Sequence, residues 1–361
     1  TAWLVTRRYL KLAASKLGAI LLAFMPLFGM ANTVFTDEGF RVPQADSELT
    51  FPRAHASHPD YKIEWWYFTG QMSTAEGRRF GYQATFFRNA APLDGFKDVE
   101  GFGDRQLYMA HMALTDIDGG EFHYEERLNR VGWDAFASTE RMYVRNGNWT
   151  LEMTCEETET MALQFTVQGE VAVQLTLKPE KPRIRFGETD NGVSRKGEHP
   201  HANSYYISFT RLQTQGEITV RGETFSVNGS SWMDHEIASR QLSEELEGWD
   251  WTAIHLHDGR EIKAYILRRL DGSPDPYSRV FWIEADGSYR RFGPDAFRWQ
   301  ALRTWTSPAT GISYPIEVML HLPGELGEDT PRRLHLRPLL DAQELTGTIG
   351  GIAYWEGACE V

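Results

Sequence analysis

Strand-like segments recur along this chain in pairs, and a glycine turn separates the members of each pair. Short runs rich in Val, Ile, Thr, Tyr, Phe and Trp flank a DG, DGG or QGE turn, a spacing typical of antiparallel hairpins. Beyond residue 50, apolar residues rarely keep the spacing of an amphipathic helix for more than a turn or two. The pattern therefore predicts an all-β protein, with hairpins at 108–126, 163–179, 252–269 and 279–292.

The length of the chain and an internal sequence repeat together predict two β domains. The chain has 361 residues, 41% of them hydrophobic, which excludes intrinsic disorder and suggests two domains or one large β architecture. Trp66 leads through a glycine turn to FGYQATFFR, and Trp251 leads through a similar turn to IKAYILRR, as in a duplication. Many consecutive hairpins favour a barrel or sandwich, because closure removes unpaired strand edges. We assign residues 32–225 to a first domain and 226–361 to a second.

The first 31 residues have the layout of a secretory signal peptide. Arg7, Arg8 and two lysines precede an apolar run, LGAILLAFMPLFGM, and a small-residue cleavage site ends at Ala31. The run has about 14 residues, which is short for a bilayer core of roughly 30 Å. We therefore predict cleavage of residues 1–31 and a periplasmic or secreted protein, with an uncleaved membrane anchor as the alternative. TRRYLK also resembles a twin-arginine signal, so both export routes stay open.

Charge, cysteine content and missing motifs exclude several classes of protein. With 37 basic and 50 acidic residues and no basic block, the chain is a poor candidate for binding nucleic acid. Cys155 and Cys359 exclude a disulfide scaffold and leave a single bridge open. No GxSxG, HExxH, P-loop or suitably placed GxGxxG motif supports a serine hydrolase, a zincin or a nucleotide-binding enzyme. His255 and His257 make only a weak zinc signal, and we predict no metal or other cofactor.

The segment HPDYKIEWWYFTG combines an acid with a run of aromatic residues. On a strand, Glu64 and Trp66 face one side, whereas Trp65 and Tyr67 face the other. Inside a barrel, burial would raise the pKa of Glu64, which could then donate a proton to an apolar ligand. The alternative is an aromatic core seam in which Glu64 pairs with an arginine such as Arg88.

The segment GSSWMDHEIAS places Asp234, His235 and Glu236 in a row. Asp234 and Glu236 project to the same side of a strand, and two carboxyl groups that close together favour keeping one of them protonated. This makes them candidates for general acid catalysis. The alternative is a hydrogen-bonded network that fixes a strand crossing.

Aromatic residues are numerous enough to line a cavity. The chain has 12 Trp, 14 Tyr and 20 Phe, and GWDW places Trp249 and Trp251 in alternating register. In a β-barrel such residues suggest a cavity for a lipophilic, polyene or planar ligand. A purely structural barrel, in which the rings only pack against one another, predicts no cavity as large as roughly 300 Å³.

Seven motifs together make the chain resemble a known family. They lie in the family's order over nearly the whole chain beyond Phe51: EWWYFTG, AHMALTD, GVSRKG, NSYYISFTR, SWMDHE, GWDW and YWEG. The chain thereby resembles the AttH-like family of exported lipocalin-like proteins, in the superfamily of the carotenoid 1,2-hydratases (hydroxyneurosporene synthases). The resemblance implies two lipocalin-like antiparallel β-barrels in tandem, an extracytoplasmic location and association with ABC-type transport systems.

The resemblance also implies roles for particular residues. In the hydratase branch an acid protonates an isolated C=C bond, and aromatic faces stabilise the carbocation, by roughly 1 to 2 kcal/mol for a Trp face. Carried onto this chain, Asp234 or Glu236 is the acid and His235 orients it, while Trp249, Trp251 and Tyr265 form the aromatic wall. The full set of ligand-binding candidates is Glu64, Trp65, Trp66, Tyr205, Trp249, Trp251 and Tyr265.

Two functions remain open at this point. The first is an exported protein that binds a lipophilic small molecule and serves an ABC-type transport system, with no stable membrane anchor after signal cleavage. The alternative is an acid-catalysed hydratase or isomerase of an isoprenoid or carotenoid-like polyene. Family members usually continue past YWEG into a closing Gly-rich strand, so we also expect the second barrel to lack a strand and leave an edge open.

Overall fold

The computed structural model describes residues 1–8, 33–45, 49–91, 106–132, 134–187, 192–240, 245–327, 330–349 and 353–361. Its regular structure is almost entirely strand, which confirms the predicted all-β fold. The short 3-10 helices of these ranges are Arg53–His55, Pro294–Ala296 and Gly324–Leu326. None of the described helices is long and apolar enough to cross a membrane. The predicted apolar run and cleavage site lie outside the described residues.

The strands are numbered along the chain. The first, β1, is Ala2–Arg8. The next thirteen are β2 Ile63–Ser73, β3 Arg79–Ala90, β4 Gln106–Asp116, β5 Glu121–Arg130, β6 Ala135–Ala137, β7 Tyr143–Asn146, β8 Trp149–Cys155, β9 Thr160–Val167, β10 Val171–Pro179, β11 Ile184–Phe186, β12 Val193–Arg195, β13 Asn203–Val220 and β14 Glu223–Ala238. The remaining strands are β15 Leu246–His255, β16 Glu261–Arg269, β17 Arg279–Ile283, β18 Tyr289–Phe292, β19 Arg298–Thr306, β20 Ser313–His321, β21 Arg333–Pro338, β22 Glu344–Leu345 and β23 Tyr354–Glu360.

These strands form two sheets. In the first, the order is β5-β4-β3-β2-β14-β13-β10-β9-β8-β7-β6, and β11 and β12 pair with β13. Its end strands β5 and β6 approach each other, so the sheet is a nearly closed barrel. In the second, the order is β18-β17-β16-β15-β1-β23-β21-β20-β19, and β22 pairs with β23. This sheet is a half-barrel, and the pair matches the expected tandem of lipocalin-like barrels.

All four predicted hairpins are present. They are β4–β5, β9–β10, β15–β16 and β17–β18, each an antiparallel pair. The glycines of their turns supply the positive φ that a tight hairpin turn requires, for example 69° at Gly120 and 85° at Gly259. The hairpins follow from local turn chemistry, which explains why the sequence alone could predict them.

The chain passes from one sheet to the other after β14. This long strand pairs with β13 along most of its length and with β2 from Asn228 to Ala238. The predicted division between residues 225 and 226 therefore falls inside β14, and backbone pairing keeps the whole strand in the first barrel. The second sheet resumes with β15 at Leu246.

Strand β1 lies inside the second sheet. It pairs antiparallel with β15 on one side and with β23 on the other. Strand β23, which contains the YWEG motif, is thus paired with a strand from the far end of the chain. Cleavage of residues 1–31 stays a prediction.

Three large apolar clusters fill the two barrels and the space between them. One fills the first barrel around Trp66, and a second fills the half-barrel around Trp282. The third lies between them and combines side chains of both sheets, including Trp232 and Trp251. A buried ion triad adds to this contact, because Glu261 of β16 accepts hydrogen bonds from Lys181 and Arg211, each at 2.6 Å. The barrels therefore share a continuous, mostly apolar interface.

A glycine on β3 makes room at this interface. A Cβ atom at Gly81 would lie 2.9 Å from the Ala358 Cβ and 3.0 Å from the Trp3 ring. We expect Gly81→Ala to lower the free energy of unfolding by about 1 to 3 kcal/mol, as overpacked sites do, in a urea titration. Gly293→Ala is the matched control, since nothing lies within 4 Å of its added Cβ. Equal stability of the two variants would contradict the close contact.

Candidate functional site

A cavity of about 320 Å³ lies between the two barrels. Strands of both sheets contribute to its wall, and apolar and aromatic side chains predominate. Its size and its lining by Trp251 argue against a barrel whose rings only pack against one another, although Glu64 does not line it. The lining residues are Val5, Arg7, Ile63, Trp65, Tyr67, Thr85, Phe87, Asn89, Met109, Lys196, Tyr206, Asp234, Glu236, Trp249, Trp251, Tyr265, Leu267, Tyr354 and Glu356.

Strand alternation decides which predicted residues reach the cavity. On β2, Trp65 and Tyr67 line the cavity, while Trp66 lies in the core of the first barrel. On β14, Asp234 and Glu236 line the cavity together, as their spacing predicts. Adjacent residues of one strand face opposite ways, so each motif divides between cavity and core.

Six of the ten predicted site residues therefore meet at one cavity. They are Trp65, Asp234, Glu236, Trp249, Trp251 and Tyr265. The other four lie elsewhere: Glu64, Trp66 and His235 are buried in the first barrel, and Tyr205 packs in a small separate cluster with its hydroxyl bonded to the backbone of Gln44. Whether the six bind a ligand stays a prediction.

The cavity wall includes a buried glutamate, Glu356 of β23. Its Oε1 accepts hydrogen bonds from the Tyr67 hydroxyl and from the Trp3 indole nitrogen, both at 2.7 Å. Burial raises the pKa of Glu356 to about 8, and these two donors offset only part of that effect. Glu356 is therefore mainly protonated at neutral pH and lines an apolar cavity as a carboxylic acid.

Asp234 is surrounded differently. Its Oδ2 accepts the Tyr206 hydroxyl at 2.6 Å, and its Oδ1 accepts the Trp232 indole at 2.7 Å and the Ser208 hydroxyl. Three donors aimed at two oxygens are the surroundings of a carboxylate, which only accepts. The wall thus holds two carboxyl groups in different surroundings: Asp234 accepts three hydrogen bonds, whereas burial raises the pKa of Glu356 to about 8.

Two lysines lie beside Tyr206 of the same wall. Lys196 Nζ lies 3.4 Å from Glu236 and 4.5 Å from the centre of the Tyr206 ring. Burial alone would lower the pKa of Lys196, but the charge of Glu236 raises it, so the two form an ion pair. Behind this wall, Lys263 Nζ lies 3.1 Å from the Tyr206 ring centre, and burial holds the pKa of Lys263 well below its usual value.

Glu64 belongs to a separate network inside the first barrel. Its Oε1 lies 2.9 Å from both His58 Nδ1 and His235 Nε2, and its Oε2 accepts the Arg88 Nε at 2.9 Å. Burial would raise the pKa of Glu64, but the hydrogen bonds from His235 and His58 and the charge of Arg88 hold it well below the ordinary value. This is the opposite of the raised pKa expected from the sequence. The pairing with Arg88 is the alternative that the sequence left open.

The same network has the spacing of a metal site. Within the described residues, the ligand atoms of His58, Glu64 and His235 lie within 4.8 Å of one another. Arg88 already balances the charge of Glu64, however, and a divalent cation would add two uncompensated charges to a buried site. We interpret the group as a hydrogen-bonded network. Burial lowers the pKa of His235 to about 4, so its imidazole is neutral at neutral pH.

Sequence reasoning missed several residues of the cavity. Glu356 stands in the YWEG motif and Tyr67 in EWWYFTG, but their contact joins residues 289 positions apart. For Tyr67 a signal existed, since alternation places it on the side of Trp65. For Glu356 the only signal was its position in a recognised motif. Neither the periodicity of the sequence nor the spacing of its motifs indicates that Glu356 faces the cavity.

Comparisons with known proteins show the family of the chain and its fold. The profile of the AttH-like family matches residues 42–361. A crystal structure of an AttH candidate from Nitrosomonas europaea is 34% identical, covers 87% of this chain and 92% of its own, and superposes with a TM-score of 0.76. Kievitone hydratase from Nectria haematococca is 15% identical over 90% of this chain and 96% of its own, with a TM-score of 0.61, and so shares the fold. No curated protein sequence matches the chain.

Proposed function

The chain belongs to the AttH-like family, and we propose that it is an acid-catalysed hydratase or isomerase of a lipophilic alkene bound between its barrels. The observation that carries the proposal is Glu356, a carboxylic acid with a pKa of about 8 in the wall of an aromatic cavity. A group of this pKa is protonated at neutral pH and still acidic enough to transfer its proton, which is what general acid catalysis needs.

The proposed reaction starts with proton transfer from Glu356 to one carbon of a C=C bond. The π electrons form the new C–H bond and leave a positive charge on the neighbouring carbon. The faces of Trp65, Trp249 and Trp251 in the wall would stabilise that charge. In hydration, water adds to the cation and loses a proton to Asp234 or Glu236. In isomerisation, a neighbouring carbon loses the proton instead. Asp234 or Glu236, which takes up the released proton in either reaction, passes it to solvent, and Glu356 regains its own proton from solvent.

The cavity supports a lipophilic substrate with one small polar group. About 320 Å³ is near the lower end of the usual 300 to 1,000 Å³ for ligand pockets. The apolar wall suits an isoprenoid chain, and the hydroxyls and the Lys196–Glu236 pair suit one small polar group. Kievitone hydratase is by its name a hydratase with this fold, which supports the proposal as a precedent and does not identify the substrate.

The test uses a panel of monoterpenoid- and sesquiterpenoid-sized alkenes, each with one hydroxyl or phenol group. They are incubated with the protein in ¹⁸O-labelled water and, separately, in D₂O, and the products are analysed by mass spectrometry. Hydration adds one labelled water, and isomerisation adds deuterium without oxygen. If compounds of the panel bind to the protein but none of them incorporates ¹⁸O or deuterium, the result would contradict catalysis.

A change at Asp234 should separate binding from catalysis. We expect Asp234→Asn to leave ligand affinity nearly intact and to lower turnover by about 10- to 100-fold, because one of the two bases that can accept the proton in the second step is lost. Isothermal titration calorimetry gives the affinity, and labelled-product formation gives the rate. Unchanged turnover would remove Asp234 from the mechanism.

Binding without turnover is the second candidate function, and the mostly apolar wall favours it. Native mass spectrometry of the protein from its own cells, followed by organic extraction, would show a single co-purifying lipid or polyene if the protein is a carrier. Export and association with an ABC-type transporter stay predictions, since none of the comparisons tests either.

A further inference from the structure

Strand β1 has the two-sided pairing of a central strand. Its partners run from Ile254 to Gly248 on β15 and from Cys359 to Tyr354 on β23. Without β1, both neighbours would present unpaired N–H and C=O groups, an arrangement that folded proteins avoid inside a sheet. The strand is therefore an integral part of the half-barrel.

The side chains of β1 alternate between two apolar clusters. Ala2 and Leu4 lie in the core of the half-barrel, whereas Trp3 and Val5 lie in the cluster between the barrels. Val5 and Arg7 line the cavity itself. Arg7 lies 4.5 Å from the ring centre of the cavity residue Trp249. One face of β1 thus packs in the core of the half-barrel, and the other faces the interface between the barrels and the cavity.

The first barrel also holds β1 in place. Gln71 Nε2 donates a hydrogen bond to the carbonyl of Ala2 at 2.8 Å and another to that of Cys359 at 2.9 Å. Gly81 leaves the space that the Trp3 ring occupies. With the ring fixed there, its indole nitrogen donates to Glu356.

We propose that β1 is a working part of the cavity, with Trp3 as the positioning residue that orients the Glu356 carboxyl and with Val5 and Arg7 as part of the ligand wall. The role of Glu356 as an acid rests on the proposed function, but the placement of β1 does not. Cleavage after Ala31 would remove all three residues, so the form of the protein with a complete cavity keeps Ala2–Arg8.

The test measures the protonation of Glu356 in the full chain. Protein labelled with ¹³C at the glutamate carboxyl carbons is titrated by NMR, and Glu356→Gln identifies the signal. Trp3→Phe keeps a ring but loses the donor, so the pKa of Glu356 should rise by about one unit, because a bond that favours the carboxylate is gone. Trp282→Phe is the matched control: it removes an indole donor to Glu284 in the same sheet and should not move the signal.

Two further measurements keep the proposal testable if Trp3→Phe folds poorly. Hydrogen exchange on the unmodified chain should protect the β1 amides as strongly as those of β15 and β23. The intact mass of the protein from its own cells should include Ala2–Arg8. An unmoved Glu356 signal, fast exchange of β1 or a chain beginning after Ala31 would each overturn the proposal. Loss of turnover in Glu356→Gln tests the proposed function separately.

Discussion

Glu356→Gln is expected to lower turnover by about 10²- to 10⁴-fold, the usual contribution of a positioned general acid. Glutamine keeps the size of the side chain and can accept the bonds from Tyr67 and Trp3 through its amide oxygen. An amide cannot give up a proton to an alkene, however. Ligand affinity should change little, because the cavity wall is otherwise the same.

The experiment needs a control that also removes a buried carboxyl group. Glu344 serves this purpose, since it is buried in the half-barrel, does not line the cavity and accepts hydrogen bonds from Ser307, Thr310 and Tyr314. Product formation is measured for both variants after their folding has been verified by near-ultraviolet circular dichroism. Turnover at the wild-type rate in folded Glu356→Gln would reject the mechanism, as would an equal loss in Glu344→Gln.

Local signals explain how much of this protein could be predicted from its sequence. Glycine turns and strand alternation predicted the hairpins and placed Asp234 and Glu236 on one side of β14. The same rule separates Trp65 from Trp66, yet both were candidates for ligand binding, because alternation alone does not say which side faces a cavity. That choice depends on the second barrel, which covers one face of β2 and leaves the other to the core.

Long-range pairing explains what could not be predicted. Trp3 and Glu356 are 353 positions apart, and their contact depends on β1 lying between β15 and β23. The segment around Trp3 reads as an export signal because arginines and an apolar run follow it, and that pattern hides a seven-residue strand. The raised pKa of Glu356 arises only when both barrels exclude water from it.

The second large effect concerns stability and pH. The ordinary glutamate pKa is 4.5, and in the folded protein burial raises that of Glu356 to about 8. Between these values the folded protein binds more protons than the unfolded chain, so the free energy of unfolding falls as pH rises. The difference of about 3.5 units corresponds to roughly 5 kcal/mol. Glu356→Gln has no such titration, so it should gain stability relative to the wild type by roughly 3 to 4 kcal/mol of this amount on going from pH 5 to pH 8, and by the rest outside that range.

Urea titrations across this pH range measure the difference in the free energy of unfolding between Glu356→Gln and the wild type. The contributions of other titrating groups are present in both proteins and cancel. Glu64→Gln is the matched control. The pKa of Glu64 is held well below the ordinary value, so it is ionised in both the folded and the unfolded chain across most of this range. The difference in the free energy of unfolding between Glu64→Gln and the wild type should therefore stay constant above about pH 5 and change only in more acidic solution. Parallel curves for Glu356→Gln and wild type would mean that the cavity accommodates an ionised Glu356. The acid would then have to be sought at Asp234 or Glu236, where the sequence first placed it.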